Sequence, residues 1–130
     1  MAEEQISNQQ KKILFVDDEE CLALLGADLL EDFGYKVTCA FDGGAALQLF
    51  QQQANSFDLI ITDESMPGMN GIELAQQVFM LSPSTPVILC SGHLLTMQEK
   101  GMDKANIAAV LAKTSVCSEL PRMIEKIFAV

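Results

Sequence analysis

Short, mostly apolar runs alternate with helix-like stretches five times along this chain of 130 residues. A short continuous apolar run is typical of a strand that is buried on both faces of its sheet. Parallel strands need crossover connections, which are usually helices. The alternation therefore predicts an α/β fold of three layers, with helices on both faces of one five-stranded parallel sheet. The predicted strands are Ile13–Val16, Tyr35–Ala40, Phe57–Thr62, Val87–Cys90 and Ile107–Ala112.

The stretches between these strands carry apolar residues three or four positions apart, as helices that bury one face do. Gly34 is placed to end the first helix and Asn70 to cap the third. The fourth helix is predicted to end near Lys104, with Asn106 in the left-handed conformation, and Pro121 is predicted in the first turn of the last helix. The predicted buried faces are Leu22, Leu25, Leu29 and Phe33 in the first helix, Ala46, Leu49 and Phe50 in the second, Ile72, Leu74, Ala75, Val78 and Phe79 in the third, and Leu120, Met123, Ile124 and Ile127 in the last.

The chain is strongly acidic, with 18 Asp and Glu residues against 8 Lys and Arg and a formal net charge of -10. This balance argues against direct binding to nucleic acid and to an anionic membrane surface, because both depend on basic residues. The sequence has no signal-peptide pattern and no apolar run near the length of a membrane span, so we expect a cytoplasmic location. Residues 1–10 are polar and predict a flexible tail, while residues 11–130 predict one domain.

The four cysteines form no C-x-x-C pair and have none of the histidine spacings of zinc sites. They all lie in apolar or helical contexts, so they are predicted to be reduced thiols of the core. These cysteines are Cys21, Cys39, Cys90 and Cys117.

Polar side chains follow four of the five predicted strands: Asp17 and Asp18 the first, Asp63 the third, Ser91 the fourth and Lys113 the fifth. Taken singly, the two acids after the first strand would serve as a helix cap and Asp63 as a turn residue. Taken together they lie at the carboxyl edge of a parallel sheet, where ligands bind. Three close carboxylates favour a hard cation such as Mg²⁺, and with a hydroxyl and an ammonium group they suit phosphoryl transfer to an aspartate oxygen.

Four segments of the sequence resemble motifs of the receiver domains of bacterial two-component response regulators. They are Phe15–Glu19, Asp63–Gly71, Leu89–Gly92 and Leu111–Lys113, in the order and spacing of that family. The second segment carries the specific pattern D-x-x-M-P-x-M-x-G, and the resemblance covers about residues 11–130. It implies a flavodoxin-like, doubly wound sheet with the strand order 2-1-3-4-5.

The resemblance also implies a reaction and its partners. Asp63 looks like the phosphoacceptor, Ser91 like the hydroxyl that moves toward the phosphoryl group, and Lys113 like the lysine that pairs with it. The donor would be a phosphohistidine on a histidine kinase or phosphotransfer domain. The domain, whether free-standing or part of a hybrid kinase, would catalyse this transfer and a slow autodephosphorylation rather than a metabolic reaction, and would switch its contacts with an unknown downstream protein.

The same resemblance implies a metal site for Mg²⁺ or Mn²⁺. Asp18 looks like the main carboxylate ligand, with Asp17 acting largely through bound water. Asp63 and the backbone carbonyl of Ser65 would complete the protein ligands. No organic cofactor is implied.

Two positions depart from the family pattern. Thr114 follows Lys113 where receivers usually have a proline after a cis peptide bond. Since a cis bond before a non-proline residue costs about 2.5–4 kcal/mol, the Lys113–Thr114 bond is predicted to be trans. Val110 stands where many receivers carry an aromatic ring that moves inward on phosphorylation. Valine has too little reach for that movement, so a muted or different output change is predicted.

Two other functions are compatible with the same fold class. A phosphorylation-independent, receiver-like interaction module would not need the acidic pair, Asp63 and Lys113 together. A flavodoxin-like cofactor binder would need backbone amides, glycine or hydroxyl residues in its first strand–helix turn to hold a phosphate, and that turn is rich in aspartate here.

Overall fold

The computed structural model describes residues 11–53, 56–92 and 104–129, which form a five-stranded parallel sheet with helices on both faces. The strands are arranged in the order β2-β1-β3-β4-β5, and every neighbouring pair is parallel. The predicted fold class and strand order are therefore confirmed. The predicted tail at residues 1–10 and most of the predicted fourth helix, residues 93–103, lie outside the described residues.

The strands begin and end within two residues of the predicted positions. In chain order the elements are β1 (Lys12–Val16), α1 (Glu20–Asp32), β2 (Lys36–Ala40), α2 (Gly43–Gln52), β3 (Leu59–Asp63), α3 (Gly71–Leu81), β4 (Val87–Ser91), β5 (Ile107–Ala112), a 3-10 turn (Lys113–Ser115) and α4 (Val116–Phe128).

The sheet separates two apolar cores. Leu14 and Val16 of β1 point into a core shared with α2 and α3, whereas Ile13 and Phe15 point into a core shared with α1 and α4. This division follows from the two-residue period of a strand, which sends successive side chains to opposite faces. The central strands are therefore apolar on both faces, and their polar residues are confined to their ends.

The predicted buried face of α1 is wrong. Leu22, Leu25 and Phe33 are 42%, 56% and 46% exposed, whereas the residues buried against the sheet are Ala23, Gly26, Ala27 and Leu30. The small residues let α1 approach β1 closely, and a Cβ atom added at Gly26 would lie 2.6 Å from Cζ of Phe15. Leu22, Leu25 and Phe33 consequently remain on the outer side of the helix.

Two local predictions are also wrong. Pro121 is the sixth residue of α4, not part of its first turn, so α4 tolerates the loss of one backbone donor in its interior. Asn106 is not left-handed, because no described residue other than glycine has a positive φ. Its carbonyl accepts a hydrogen bond from the N–H of Val87 at 2.9 Å, which holds it at the start of the β4–β5 ladder.

The cysteines differ in burial. Cys90 is buried and Cys39 half-buried, but Cys21 is exposed on α1, so the prediction that all are core thiols is wrong for Cys21. These three thiols are free, and the side chain of Cys117 lies outside the described residues. None of the helices in the described ranges has the length and apolar character that a membrane crossing requires.

Candidate functional site

Asp63 lies at the centre of the candidate site. It is the last residue of β3, which runs between β1 and β4, and its side chain is buried. The N–H of Ser65 donates to its Oδ1 at 3.2 Å, and the ammonium of Lys113 donates to its Oδ2 at 3.1 Å. Each carboxylate oxygen thus accepts a hydrogen bond at the open edge of the sheet.

Asp17 and Asp18 follow β1, the strand beside β3. Asp17 is buried and Asp18 is exposed. The N–H of Asp17 donates to the carbonyl of Ala40 at 3.1 Å, while its Oδ1 accepts the N–H of Glu19 at 2.9 Å. These bonds fix the buried carboxylate at the entrance to α1, and Asp18 remains open to solvent.

Oxygen atoms of Asp17, Asp18 and Asp63 lie within 4.8 Å of one another. Burial raises the pKa of Asp17, and the charges of Asp63 and Asp18 add to this, although the Glu19 N–H and the Lys113 ammonium lower it. Converging oxygens whose charges repel one another fit a hard divalent cation, which uses a few carboxylates and keeps several waters. The three aspartates predicted as metal ligands are therefore brought together.

Lys113 supplies the positive charge of the site. Its Nζ lies 3.1 Å from Asp63 Oδ2, 3.7 Å from Glu19 Oε1 and 3.9 Å from Asp17 Oδ2. Burial lowers the pKa of Lys113, but the hydrogen bond to Asp63 and the surrounding carboxylates outweigh this effect, so the net shift is upward. The ammonium group therefore keeps its proton at neutral pH.

Ser91 ends β4, next to β3, and is fully buried. Its Oγ donates toward Oε1 of Glu64 across 3.5 Å, a long hydrogen bond. Ser91 is a predicted site residue, whereas Glu64 is not among the residues predicted from the sequence. The only signal for Glu64 was its place directly after Asp63, because no spacing pattern singles it out.

The loop after Asp63 is shaped by close backbone contacts. Gly71 allows that approach, since a Cβ atom there would collide with the backbone carbonyl oxygen of Asp63 and lie 2.9 Å from Cα of Glu64. Asn70 and Glu73 form a reciprocal capping box at the start of α3, as predicted for the Asn70 cap. The loop is therefore anchored at both ends, and Ser65 projects into solvent from it.

On the opposite side, the connection after β5 contains no cis peptide bond, nor does any other described part of the backbone. The predicted trans Lys113–Thr114 bond is confirmed. A 3-10 turn, Lys113–Ser115, takes the chain from β5 directly into α4. Lys113 reaches Asp63 from the first residue of that turn.

These groups border an open cleft of about 330 Å³. Its lining residues are Asp18, Glu19, Asp63, Glu64, Ser65, Gly92 and Lys113. A smaller, mainly apolar cavity of about 70 Å³ lies beside it, where Leu22 and Leu25 of α1 approach Asp63 and Lys113. The site thus combines an open polar cleft with an apolar margin.

Comparison with known proteins gives a consistent result. The family model described as response regulator receiver domain matches residues 13–125 of the chain. A segment of 89 residues, 68% of the chain, is 40% identical to the autoinducer 1 sensor kinase/phosphatase LuxN of Vibrio campbellii, but it spans 10% of that protein. The response regulator receiver protein CpdR of Brucella abortus is 31% identical over 89% of the chain and 95% of its own length.

Among solved structures, the response regulator protein TrrA of Thermotoga maritima, in complex with Mg²⁺ and BeF, superposes with a TM-score of 0.79 at 28% identity. The match covers 89% of this chain and 97% of TrrA. The chain spans 10% of LuxN, 15% of the sensory/regulatory protein RpfC of Xanthomonas campestris and 21% of the two-component response regulator ARR14 of Arabidopsis thaliana.

Proposed function

The chain belongs to the response regulator receiver domain family, and we propose that Asp63 is the carboxylate on which it accepts a phosphoryl group. One observation carries this assignment: Asp63 is the residue shared by the cluster of three aspartates and by the 3.1 Å hydrogen bond from Lys113. A phosphoryl group on Asp63 Oδ2 would lie next to the ammonium group of Lys113. A module that works only through protein contacts has no need of this arrangement, so that alternative is not favoured.

The transfer needs no covalent intermediate other than the aspartyl phosphate. A carboxylate oxygen of Asp63 attacks phosphorus in line, the new P–O bond forms, and the P–N bond to the donor imidazole breaks with its electron pair going to nitrogen. Lys113 pairs with a phosphoryl oxygen and Ser91 donates its hydroxyl to another. In autodephosphorylation a water oxygen attacks phosphorus, the Asp63–phosphorus bond breaks with its electron pair going to the carboxylate, and the proton that the water loses goes to a phosphoryl oxygen of the released phosphate.

Asp17, Asp18 and Asp63, with the backbone carbonyl of Ser65, would hold Mg²⁺ or Mn²⁺. The convergence of three carboxylates within 4.8 Å supports this ligand set, as does the complex of the relative TrrA with Mg²⁺ and BeF. When bound, such a cation neutralises charge on the phosphoryl oxygens. Asp17 and Asp18 thus contribute by binding the cation and Asp63 contributes the attacking oxygen.

The phosphodonor would be a histidine kinase or a histidine phosphotransfer domain that docks beside the cleft. Leu22 and Leu25 of α1 line the small apolar cavity next to Asp63, and with Leu24 they are between 42% and 56% exposed. An apolar surface beside the acceptor would position a donor imidazole over Asp63. The downstream partner is a further protein of unassigned identity.

The assignment is tested by incubating the chain with acetyl phosphate and Mg²⁺ and measuring the intact mass. We expect one phosphoryl adduct, lost in Asp63→Asn and retained in Asp28→Asn, which removes an exposed carboxylate of α1. An adduct of unchanged yield in Asp63→Asn would place the acceptor elsewhere. Absence of any adduct would count against the phosphoacceptor function itself.

A further inference from the structure

The hydroxyl that should bind the phosphoryl group already contacts another anion. Ser91 is fully buried, and its Oγ donates toward Glu64 Oε1 across 3.5 Å. The two residues are 27 positions apart in sequence and meet because β3 and β4 are neighbours, with Asp63 opposite Cys90 in register. A phosphoryl group on Asp63 would have to compete with Glu64 for this hydroxyl.

The backbone of Glu64 is held next to β4, the strand that ends at Ser91. Its N–H donates to the carbonyl of Cys90 at 2.8 Å, and its carbonyl accepts the N–H of Gly71 at 2.9 Å. Its backbone is thus tied to β4 on one side and to the start of α3 on the other. Gly71 also packs closely against this backbone, since a Cβ atom added there would lie 2.9 Å from Cα of Glu64. The Cα atom from which the Glu64 side chain projects is therefore held in place by its neighbours.

The charge of Glu64 is also set apart from the rest of the site. Glu64 lines the same cleft as Asp63 and Lys113. The ion pairs of Lys113 are with Asp17, Glu19 and Asp63, and within the described part of the chain Glu64 does not join them. Glu64 is likewise outside the group of three aspartates that could hold a metal ion. Glu64 therefore adds a negative charge to the cleft that is paired neither with Lys113 nor with a cation held by the three aspartates.

We propose that Glu64 is a positioning residue that retains the Ser91 hydroxyl in the resting state and so opposes formation of the phosphorylated state. The inference rests on the proposed function of Asp63. Glu64 does not take part in phosphoryl transfer itself. It acts through Ser91, which must leave the glutamate before it can donate to a phosphoryl oxygen, and the strength of this hold sets how readily the domain switches.

The test measures binding of beryllofluoride at saturating Mg²⁺ by isothermal titration calorimetry. Beryllofluoride imitates the phosphoryl group without a covalent step. Removing a hydrogen-bonded competitor should tighten binding by the equivalent of one hydrogen bond, about fivefold in Glu64→Ala. In a Ser91→Ala background the same Glu64→Ala change should alter the affinity by less than about twofold. Glu31→Ala, which removes an exposed charge of α1, should leave the affinity unchanged.

The outcomes separate the inference from the proposed function. If Glu64→Ala raises the affinity for beryllofluoride and the increase disappears in the Ser91→Ala background, Glu64 acts by retaining the Ser91 hydroxyl. A gain of the same size in both backgrounds shows repulsion by charge alone and overturns it, as does no gain. If the unsubstituted chain binds no beryllofluoride with Mg²⁺, the proposed function fails and the inference falls with it.

Two further measurements show whether an altered affinity arises from the Glu64–Ser91 contact or from a damaged fold. Glu64→Gln keeps an acceptor of the same length, so it should retain part of the hold and tighten binding less than Glu64→Ala does; equal gains in the two variants would contradict the proposal. Thermal unfolding of each unliganded variant checks that an altered affinity does not reflect a damaged fold.

Discussion

Opposed charges meet over a few ångströms at the carboxyl edge of the sheet. Lys113 contacts three carboxylates, yet Asp17 still has a raised pKa because burial penalises its charged form. Without a cation, the positive charge of Lys113 therefore does not fully neutralise the carboxylates of the site. A folded chain that carries such a site gains stability from whatever neutralises it.

Mg²⁺ should raise the thermal stability of the chain. At a concentration ten times its Kd, a ligand that binds only the folded state stabilises by about 1.4 kcal/mol, which corresponds to a few degrees in Tm. The measurement is thermal unfolding with and without Mg²⁺, and Asp18→Asn should lose most of the shift. A full shift in Asp18→Asn would mean that the ion binds outside the three aspartates.

Cys90 should resist alkylation in the folded chain. Burial raises the pKa of its thiol to about 12, and the charges of Asp63 and Asp17 add to the shift, so the reactive thiolate is nearly absent at pH 8.5. Because the folded pKa lies above the ordinary value of 9.0, stability should fall as the pH rises from about 9 toward 12.

Iodoacetamide followed by peptide mass analysis checks this expectation. The exposed Cys21 serves as the internal control and should be modified first, whereas Cys90 should react at a comparable rate only in denaturant. Equal rates for the two thiols in the folded chain would contradict the burial of Cys90 beside Asp63.

Among the elements, α1 shows how a helix is oriented by contact rather than by apolar content. Leu22, Leu24 and Leu25 point outward because Gly26, two alanines and Leu30 form the face that packs toward the sheet. Phe15 takes up the space that these small residues leave, with its ring against Gly26. The pair fixes the distance between α1 and β1, and with it the loop that carries Asp17 and Asp18.

Gly26→Ala should destabilise the chain by about 1–3 kcal/mol, because the added methyl group would lie 2.6 Å from the buried Phe15 ring. Urea unfolding measures the loss, and a second substitution, Phe15→Leu, should recover part of it. Gly44→Ala is the matched control: its nearest contact is 3.4 Å away in α2, where alanine favours helix. Similar losses at both glycines would rule out the contact as the cause.

At the scale of the whole molecule, β4 and β5 separate Asp63 from one edge of the sheet. A conformational change that starts at Asp63 must pass through these two strands to reach that edge. Val110 of β5 is only partly buried and packs against the core shared with α2 and α3. It has no ring with which to fill the space that Ser91 would leave if it moved toward a phosphoryl group on Asp63. The response should therefore stay close to the cleft.

Beryllofluoride with Mg²⁺ should change amide hydrogen exchange at the ends of β3 and β4 far more than in β5 and α4. Hydrogen-exchange mass spectrometry measures the difference, with Val110→Tyr as the comparison. We expect the tyrosine variant to show the larger change in β5. Protection of β5 in the unsubstituted chain as strong as in Val110→Tyr would show that the signal does not depend on an aromatic side chain there.

The sequence by itself determined the parallel sheet and the set of polar residues at its edge. Buried strands such as Ile13–Val16 must be apolar throughout, so Asp17, Asp63 and Lys113 stand out where those strands end. Helix caps such as Asn70 are equally local, since their bonds join residues three apart. These features are readable because the physical cause lies within a few positions of the residue.

Only the tertiary structure decided which face of α1 is buried and that Glu64 meets Ser91. The leucines of α1 have the helical period of an inner stripe, but the short distance to Phe15 admits only small residues there. The Glu64–Ser91 contact joins residues 27 apart and depends on the pinned loop after β3. Such outcomes depend on distances between elements, which the pattern of one element alone does not encode.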